Sequence, residues 1–421
     1  MANTTVSENA NDVVFSLRMV PIKFGIGAAQ ETGFELHNLG VKKVLVITDK
    51  TISKETQILS NMKYCIEDAG IEVEVWDEVE PEPSSDSMKK AIRFASGGNF
   101  DGLIGLGGGS SIDTAKVVNL FTTYPAEFLD YIAAPIGKDR PVPGKLKPLV
   151  AIPTTAGTGS ETTGVAITDL TEPKTKSGFS SWHLLPSLAI IDPLNTVMMP
   201  PSVTANTGID ALMHAIEAFT ARPYYTRPRP VSPENRPLYV GSNPVTDTLA
   251  EKAIELIGEN LIVAIRNGTD INVRLNMSIA SFIAGVAFGN AGVHIPHAMA
   301  YPVGGRKHIP HGVAVAVHGP AFLKFAALRI PEKLARVAGL LGENIDGLLA
   351  EDAALKASEA LIKLMRKIDL PNGLEEFGFT EGDIPGMAKD CLRLQRLLAI
   401  SPFPVQEEDI AQIYKSSMRY W

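Results

Sequence analysis

Cysteine is nearly missing from this chain: Cys65 and Cys391 are the two in 421 residues. Two cysteines support neither a disulfide framework nor a thiolate metal site. An excess of positive charge is missing too. Lysine and arginine number 39 against 47 aspartates and glutamates, a net charge of −8. Nucleic-acid binding needs clustered lysine and arginine, so it is excluded as a function class. No uninterrupted apolar run reaches the roughly 18 residues that a membrane span requires. The opening MANTTVSENANDVVF has no basic stretch followed by an apolar one, and it is not an arginine-rich amphipathic leader. These absences lead to the expectation of a cytoplasmic protein with neither nucleic acid nor membrane as partner.

What is present is an ordinary compact composition, 45% hydrophobic and 20% charged, with length for about two to three domains. Up to about residue 195, short apolar runs at 44–48, 71–76, 102–106, 149–153 and 188–192 alternate with helix-like stretches at 54–69, 86–97 and 111–121. This rhythm predicts parallel βαβ units in an α/β, Rossmann-like dinucleotide-binding domain. After Pro200 and Pro201 the pattern turns helical, with apolar residues three and four apart in 209–219, 247–265, 275–288, 349–368 and 409–418. Two domains are therefore expected, 1–201 and an all-α domain at 202–421. The segment 222–241, rich in proline and arginine, reads as a long loop.

DGLIGLGGGSSIDTAK, from Asp101 to Lys116, runs from an apolar strand into three glycines and a helix start. Backbone N–H groups there approach a ligand closely, and the helix N-terminus favours negative charge, so a pyrophosphate suits it. The stretch is neither a G-x-G-x-x-G fingerprint, because the sixth position from Gly105 is Ser110, nor a P-loop. Asp49, at the end of another strand, can accept hydrogen bonds from an adenosine ribose and would repel a 2′-phosphate. It can equally cap the helix that begins near Lys50. A second loop of small residues, PTTAGTGSE, spans Pro153 to Glu161 and offers hydroxyls to the same ligand.

Six of the eight histidines fall between His214 and His318. Asp210 and His214 stand four apart, on one face of a helix. His294 and His297 follow, then His308 and His311. A carboxylate with several neutral imidazoles suits Fe2+ or Zn2+ with a position left for a substrate oxygen. Spacing alone does not say which three histidines bind. A dinucleotide loop in one half and a metal set in the other suggest hydride transfer from an alcohol.

GGGSSIDTAK, PTTAGTGSE, DALMHAIEAF and the H-A-M-A-Y…P-H-G block, in this order, resemble the iron-dependent (group III) alcohol dehydrogenase family over nearly the whole chain. The resemblance implies that family's fold, shared with dehydroquinate synthase: a dinucleotide-binding domain followed by an all-helical metal-binding domain. It implies Asp210, His214, His297 and His311 as metal ligands, leaving His294 and His308 as neighbours. It places a pyrophosphate on Gly108, Gly109 and Ser110 with Thr154 and Thr158 nearby, Lys176 beside the nicotinamide ribose, and Asp49 on the adenosine ribose, favouring NAD over NADP. A homo-oligomer, dimeric or larger, is also implied.

Two residues depart from the family pattern. Tyr301 stands four residues after the third ligand, where many members carry a proton-relaying histidine; Tyr301 and His294 are thus the catalytic candidates. Glu82 stands where asparagine is usual. The stretch ARPYYTRPRPVSPENRPLYVGSNPVTD, the block around Tyr301 and the ending EEDIAQIYKSSMRYW resemble the hydroxyacid–oxoacid transhydrogenase branch. Arg222, Arg227, Arg229 and Arg236 in that stretch could fork carboxylates or simply pin the loop. The expected function is an NAD-linked, metal-dependent alcohol or hydroxy-acid dehydrogenase. A transhydrogenase of the 4-hydroxybutyrate/2-oxoglutarate type, with a retained nucleotide, is the alternative; a dehydroquinate synthase-like lyase is a further one.

Overall fold

The computed structural model describes residues 11–172, 175–307 and 309–421. The first ten residues, read above for leader features, and His308 lie outside the described residues. The chain divides into two compact units: one holds residues 19–211 and 259–285, the other the segments 11–18, 212–258 and 286–421.

The first unit is built on a parallel six-stranded sheet. Its strands are β1 (Ile22–Phe24), β2 (Lys43–Ile47), β3 (Glu72–Trp76), β4 (Gly102–Gly107), β5 (Leu149–Pro153) and β8 (Leu188–Ile191). They lie in the order β1-β8-β5-β4-β2-β3. An antiparallel hairpin, β6 (Val165–Leu170) and β7 (Thr175–Ser180), stands apart from this sheet. Residues in β4 and β5 are buried throughout, as expected of parallel strands covered on both faces. The crossovers carry α1 (Thr32–Asn38), α2 (Lys50–Glu55), α3 (Ile58–Asp68), α4 (Ser85–Ser96) and α5 (Gly109–Thr123).

Strand order marks where an open α/β sheet would take a ligand. From β2 the chain passes to β3 on one side, whereas from β4 it passes to β5 on the other. The sheet therefore reverses direction between neighbours β2 and β4, and ligands of open α/β sheets bind outside the carboxyl ends of strands at such a point. Asp49 follows β2 and the triple glycine follows β4.

The helical part begins with α6 (Pro201–Thr220), where proline at the first position suits a helix start. α7 (Pro244–Arg266), α8 (Ile271–Ala291), α9 (Ile295–Lys307), α10 (His311–Ala316), α11 (Gly319–Ala326), α12 (Pro331–Leu340), α13 (Ala350–Lys367), α14 (Ile384–Leu392), α15 (Gln395–Leu398) and α16 (Glu407–Ser416) follow. The border between the units runs through α6, between Ala211 and Leu212, and again through α7 and α8. By length and composition α8 could cross a membrane, but 67% of its apolar window is buried inside the protein. Its Arg274, fully buried, donates to the Gly268 carbonyl at 2.7 Å and the Thr204 hydroxyl at 3.0 Å, as a core helix would.

The loop after α6 is pinned rather than open. Arg227 and Arg236 both donate to the buried Asp12 carboxylate, at 2.6 Å and 2.9 Å. Burial alone would raise the Asp12 pKa, but the two guanidiniums and a backbone N–H hold it below the ordinary value. Arg222 turns back onto the Thr226 hydroxyl, 3.1 Å, and the Ala399 carbonyl, 3.3 Å. Of the two roles open to these arginines, Arg222, Arg227 and Arg236 take the structural one.

Candidate functional site

Asp49 takes the capping role of the two expected of it, and its other oxygen stands near the glycine loop. Its Oδ1 accepts from the Ile52 N–H at 3.0 Å and so caps α2. A Cβ placed on Gly107 would lie 3.3 Å from its Oδ2, so the carboxylate stands beside the glycine loop. Gly107 has φ +141, and its Cβ would meet Ser111 Oγ at 2.5 Å; only glycine fits. No side chain caps the start of α5 at Gly108. A Cβ on Gly109 would meet Thr158 Oγ1 at 3.0 Å, and one on Gly108 would face Thr155 at 3.5 Å. The Thr154 N–H bonds to the Gly107 carbonyl at 3.0 Å. Asp49, Gly108, Gly109, Thr154 and Thr158 thus lie together at the carboxyl ends of β2, β4 and β5. A glycine turn that a Cβ at Gly107 or Gly109 would crowd, opening onto an uncapped helix start, fits a pyrophosphate.

The two loops are bolted together from below. Lys116, fully buried, donates to the Val165 carbonyl at 2.6 Å, Thr163 Oγ1 at 3.3 Å and Ser160 Oγ at 3.4 Å, with Asp113 at 3.5 Å. The Ser160 hydroxyl bonds to the Asp113 carboxylate, whose other oxygen receives the Ile167 N–H at 2.9 Å. Burial lowers the Lys116 pKa and raises that of Asp113, while Glu161, also buried, is pushed up to about 7. Sequence reasoning quoted these residues inside motifs without assigning them work. The signal was there: Asp113 and Lys116, three apart, are the two charged residues of α5.

Lys176 sits on β7, opposite Asp169 of β6 in the hairpin register. Its ammonium pairs with the Glu82 carboxylate and lies 3.3 Å from Asp169. The Glu82 N–H in turn donates to Ser110 Oγ at 3.3 Å. Lys176 and Ser110, both assigned to the cofactor, therefore meet through Glu82.

The metal candidates gather at α6, α9 and α10. Asp210, His297 and His311 each offer one ligand atom, and these atoms lie within 4.8 Å of one another. Asp210 and His214 stand four apart on helix α6. His214 stacks on Phe288 at 4.0 Å and against the His297 ring at 4.7 Å, centroid to centroid. One carboxylate with imidazoles at this separation is a donor set for a divalent transition metal.

Behind His297 lies a residue that sequence reasoning missed. Glu217, fully buried on α6, receives His297 Nδ1 at 2.6 Å and the His294 backbone N–H at 2.6 Å. Burial opposes its charge, but His297 and His294 outweigh burial and its pKa lies below the ordinary value. The bond to Nδ1 leaves Nε2 as the ring nitrogen that could hold a metal. Glu217 is three residues beyond His214 and seven beyond Asp210, hence on the same helix face; a carboxylate there, amid apolar neighbours, was the available clue.

His294 is fully buried. Its Nε2 lies 3.1 Å from the Thr220 hydroxyl, and its Nδ1 accepts from the Ile295 N–H at 2.8 Å. Burial drives its pKa down to about 4, so the ring is neutral near pH 7. Tyr301, one turn along α9 from His297 and half-buried, presents its ring edge-on to His311, 6.4 Å between centroids.

Comparison with known proteins gives the family. Residues 20–193 match the family model described as iron-containing alcohol dehydrogenase, and residues 238–418 match that of the Fe-containing alcohol dehydrogenase family, C-terminal. The mitochondrial hydroxyacid-oxoacid transhydrogenase of Bos taurus is 40% identical over 430 residues, spanning 99% of this chain and 92% of the relative. That of Mus musculus is 41% identical over 425 residues, spanning 97% and 91%. Among solved structures, a 1,3-propanediol oxidoreductase superposes with a TM-score of 0.87 at 35% identity, covering 96% of this chain and 100% of its own. The alcohol dehydrogenase from Oenococcus oeni gives 0.87 at 29% identity, with the same coverage of 96% and 100%. The expectation of a cytoplasmic protein does not stand, because relatives matched over nearly the whole chain are mitochondrial enzymes.

Proposed function

The chain belongs to the iron-containing alcohol dehydrogenase family, and from that premise we propose an NAD-linked dehydrogenase that moves a hydride between an alcohol or hydroxy acid and nicotinamide. The observation that carries the proposal is the convergence of Asp210, His297 and His311 within 4.8 Å. With His214 stacked beside them, these residues would hold Fe2+, Zn2+ being the second choice for such donors. NAD is preferred to NADP because the Asp49 carboxylate would repel a 2′-phosphate. When bound, the metal polarises the substrate oxygen and the nicotinamide carries the hydride.

The protein's own groups do the rest. Dinucleotide binding is assigned to residues 1–201 and metal binding to 202–421. Gly108, Gly109 and Ser110, flanked by Thr154 and Thr158, seat the pyrophosphate, and Lys176 lies one carboxylate away from Ser110. Glu217 fixes the tautomer and tilt of His297. Tyr301 is assigned the proton path from the substrate hydroxyl, since it shares a helix face with His297 and meets His311. His294 is assigned a positioning role, because its backbone N–H holds Glu217 and its ring stays neutral near pH 7.

The transhydrogenase reading is kept as the second, on the 40% identity with the bovine enzyme of that name. It is the same transfer run twice on a retained nucleotide. The lyase alternative falls away with the family assignment. Metal analysis of anaerobically purified protein comes first, followed by turnover of alcohols and hydroxy acids with and without a 2-oxo acid. Reduction of added NAD by a hydroxy compound alone supports the dehydrogenase. Turnover only when hydroxy acid and oxo acid are present together supports the transhydrogenase. Protein without bound iron or zinc, inactive in both formats, refutes both.

A further inference from the structure

Glu82 is the residue whose placement the proposed function leaves unused. It lies between Pro81 and Pro83 with φ +52, a left-handed conformation that non-glycine residues seldom adopt. Its surroundings hold it there. The Pro83 carbonyl receives the Thr168 hydroxyl at 3.0 Å and the Asp169 N–H at 3.0 Å, lacing the loop onto β6. On its other side the Glu82 N–H reaches Ser110. Its carboxylate takes the Lys176 ammonium, which is only 11% exposed and shared with Asp169. Glu82, Lys176 and Asp169 together carry one net negative charge at the rim of the glycine cradle.

We propose that Glu82 sets the affinity of the dinucleotide site by opposing it. Resting on the reading of Gly108, Gly109 and Ser110 as the pyrophosphate cradle, the geometry makes the carboxylate act in two ways. It competes with the incoming phosphates and ribose for Lys176, and its own charge repels a doubly negative pyrophosphate seated on Ser110. Both effects have the same sign, so removing the charge tightens binding. The repulsive share is long-ranged and therefore screened by salt.

The test is a titration of the purified protein with NADH, followed by energy transfer from tryptophan. Glu82→Gln is expected to lower the Kd about fivefold to tenfold at low ionic strength, the size of effect one charge exerts on another nearby in water-exposed surroundings. The advantage shrinks at about 1 M salt. Glu82→Asp, which keeps the charge, stays near the wild type, and Lys176→Met weakens binding. Glu82 is 43% exposed, and unchanged thermal midpoints would confirm that the variants are folded. Equal or weaker NADH binding by folded Glu82→Gln, against measurable binding by the wild type, overturns the inference alone. A wild type that, once freed of any retained nucleotide, binds no NADH overturns the cradle reading, and the inference with it.

Discussion

Replacing Glu217 by Gln changes one atom and ought to disturb two properties separately. In the native site both carboxylate oxygens accept hydrogen bonds, from His297 Nδ1 and from the His294 N–H, each at 2.6 Å. An amide offers one acceptor and one donor, so one of the two N–H groups is left facing an NH2 inside a fully buried site. Losing a charge-assisted hydrogen bond of this kind costs about 1.5–3 kcal/mol, and that is the expected fall in stability of the metal-free protein. The second property is metal affinity. His297 would no longer be held in one tautomer by a negative charge, and loss of such a supporting partner typically weakens a metal site about 10- to 100-fold. Chelator competition under anaerobic conditions measures the affinity, and urea unfolding of metal-free protein measures the stability. A Glu217→Gln protein destabilised by the stated amount, yet binding iron or zinc as tightly as wild type, would show that His297 is not a ligand held by Glu217.

Three further outcomes follow from the same geometry. His318 is fully buried, and burial lowers its pKa from 6.5 to about 3. The unfolded chain takes up a proton below pH 6.5 that the folded chain refuses, so stability is present above that pH and lost on acidification. His318→Phe should therefore lose about 3 kcal/mol less than wild type between about pH 7 and pH 4.5, read by denaturant unfolding; identical pH dependences would refute this. Glu161 has the opposite sign. Its pKa is raised from 4.5 to about 7, so the stability it confers is complete below pH 4.5 and declines as pH climbs through 7. Relative to wild type, Glu161→Gln should gain up to about 3 kcal/mol between about pH 4 and pH 8, and a constant difference would count against it. Tyr301→Phe should lower kcat about 100-fold, with an altered pH profile and NADH affinity retained, as loss of a proton-transfer group does; an unchanged profile removes the tyrosine from the proton path.

Much of the sheet was legible because buried parallel strands read as plain apolar runs: β5 occupies the expected 149–153, and β2, β3, β4 and β8 fall within a residue or so of expectation. The hairpin was not legible, because β7 is TKSGFS, a strand made by its pairing with β6 rather than by its own composition. The helix expected over 54–69 is two helices, and Thr56 explains the break. Its hydroxyl bonds back to the Ile52 carbonyl, ending α2, and receives the Ile58 N–H, starting α3. Helix α9 was hidden by its internal Pro302 and by two glycines, which tertiary packing overrides. At the metal site, spacing announced Asp210 with His214 but was blind between His294 and His297. These two are separated by what lies across from them, Glu217 and Thr220, and that is a property of packing.

The bolt formed by Lys116, Asp113 and Ser160 joins helix α5, which the glycine loop opens, to the second cradle loop. Their conformation is consequently preorganised. A dinucleotide arriving there would meet backbone already ordered, and little conformational entropy would be lost on association. Binding should then proceed in a single fast phase, with a heat-capacity change no larger than the contact area alone explains.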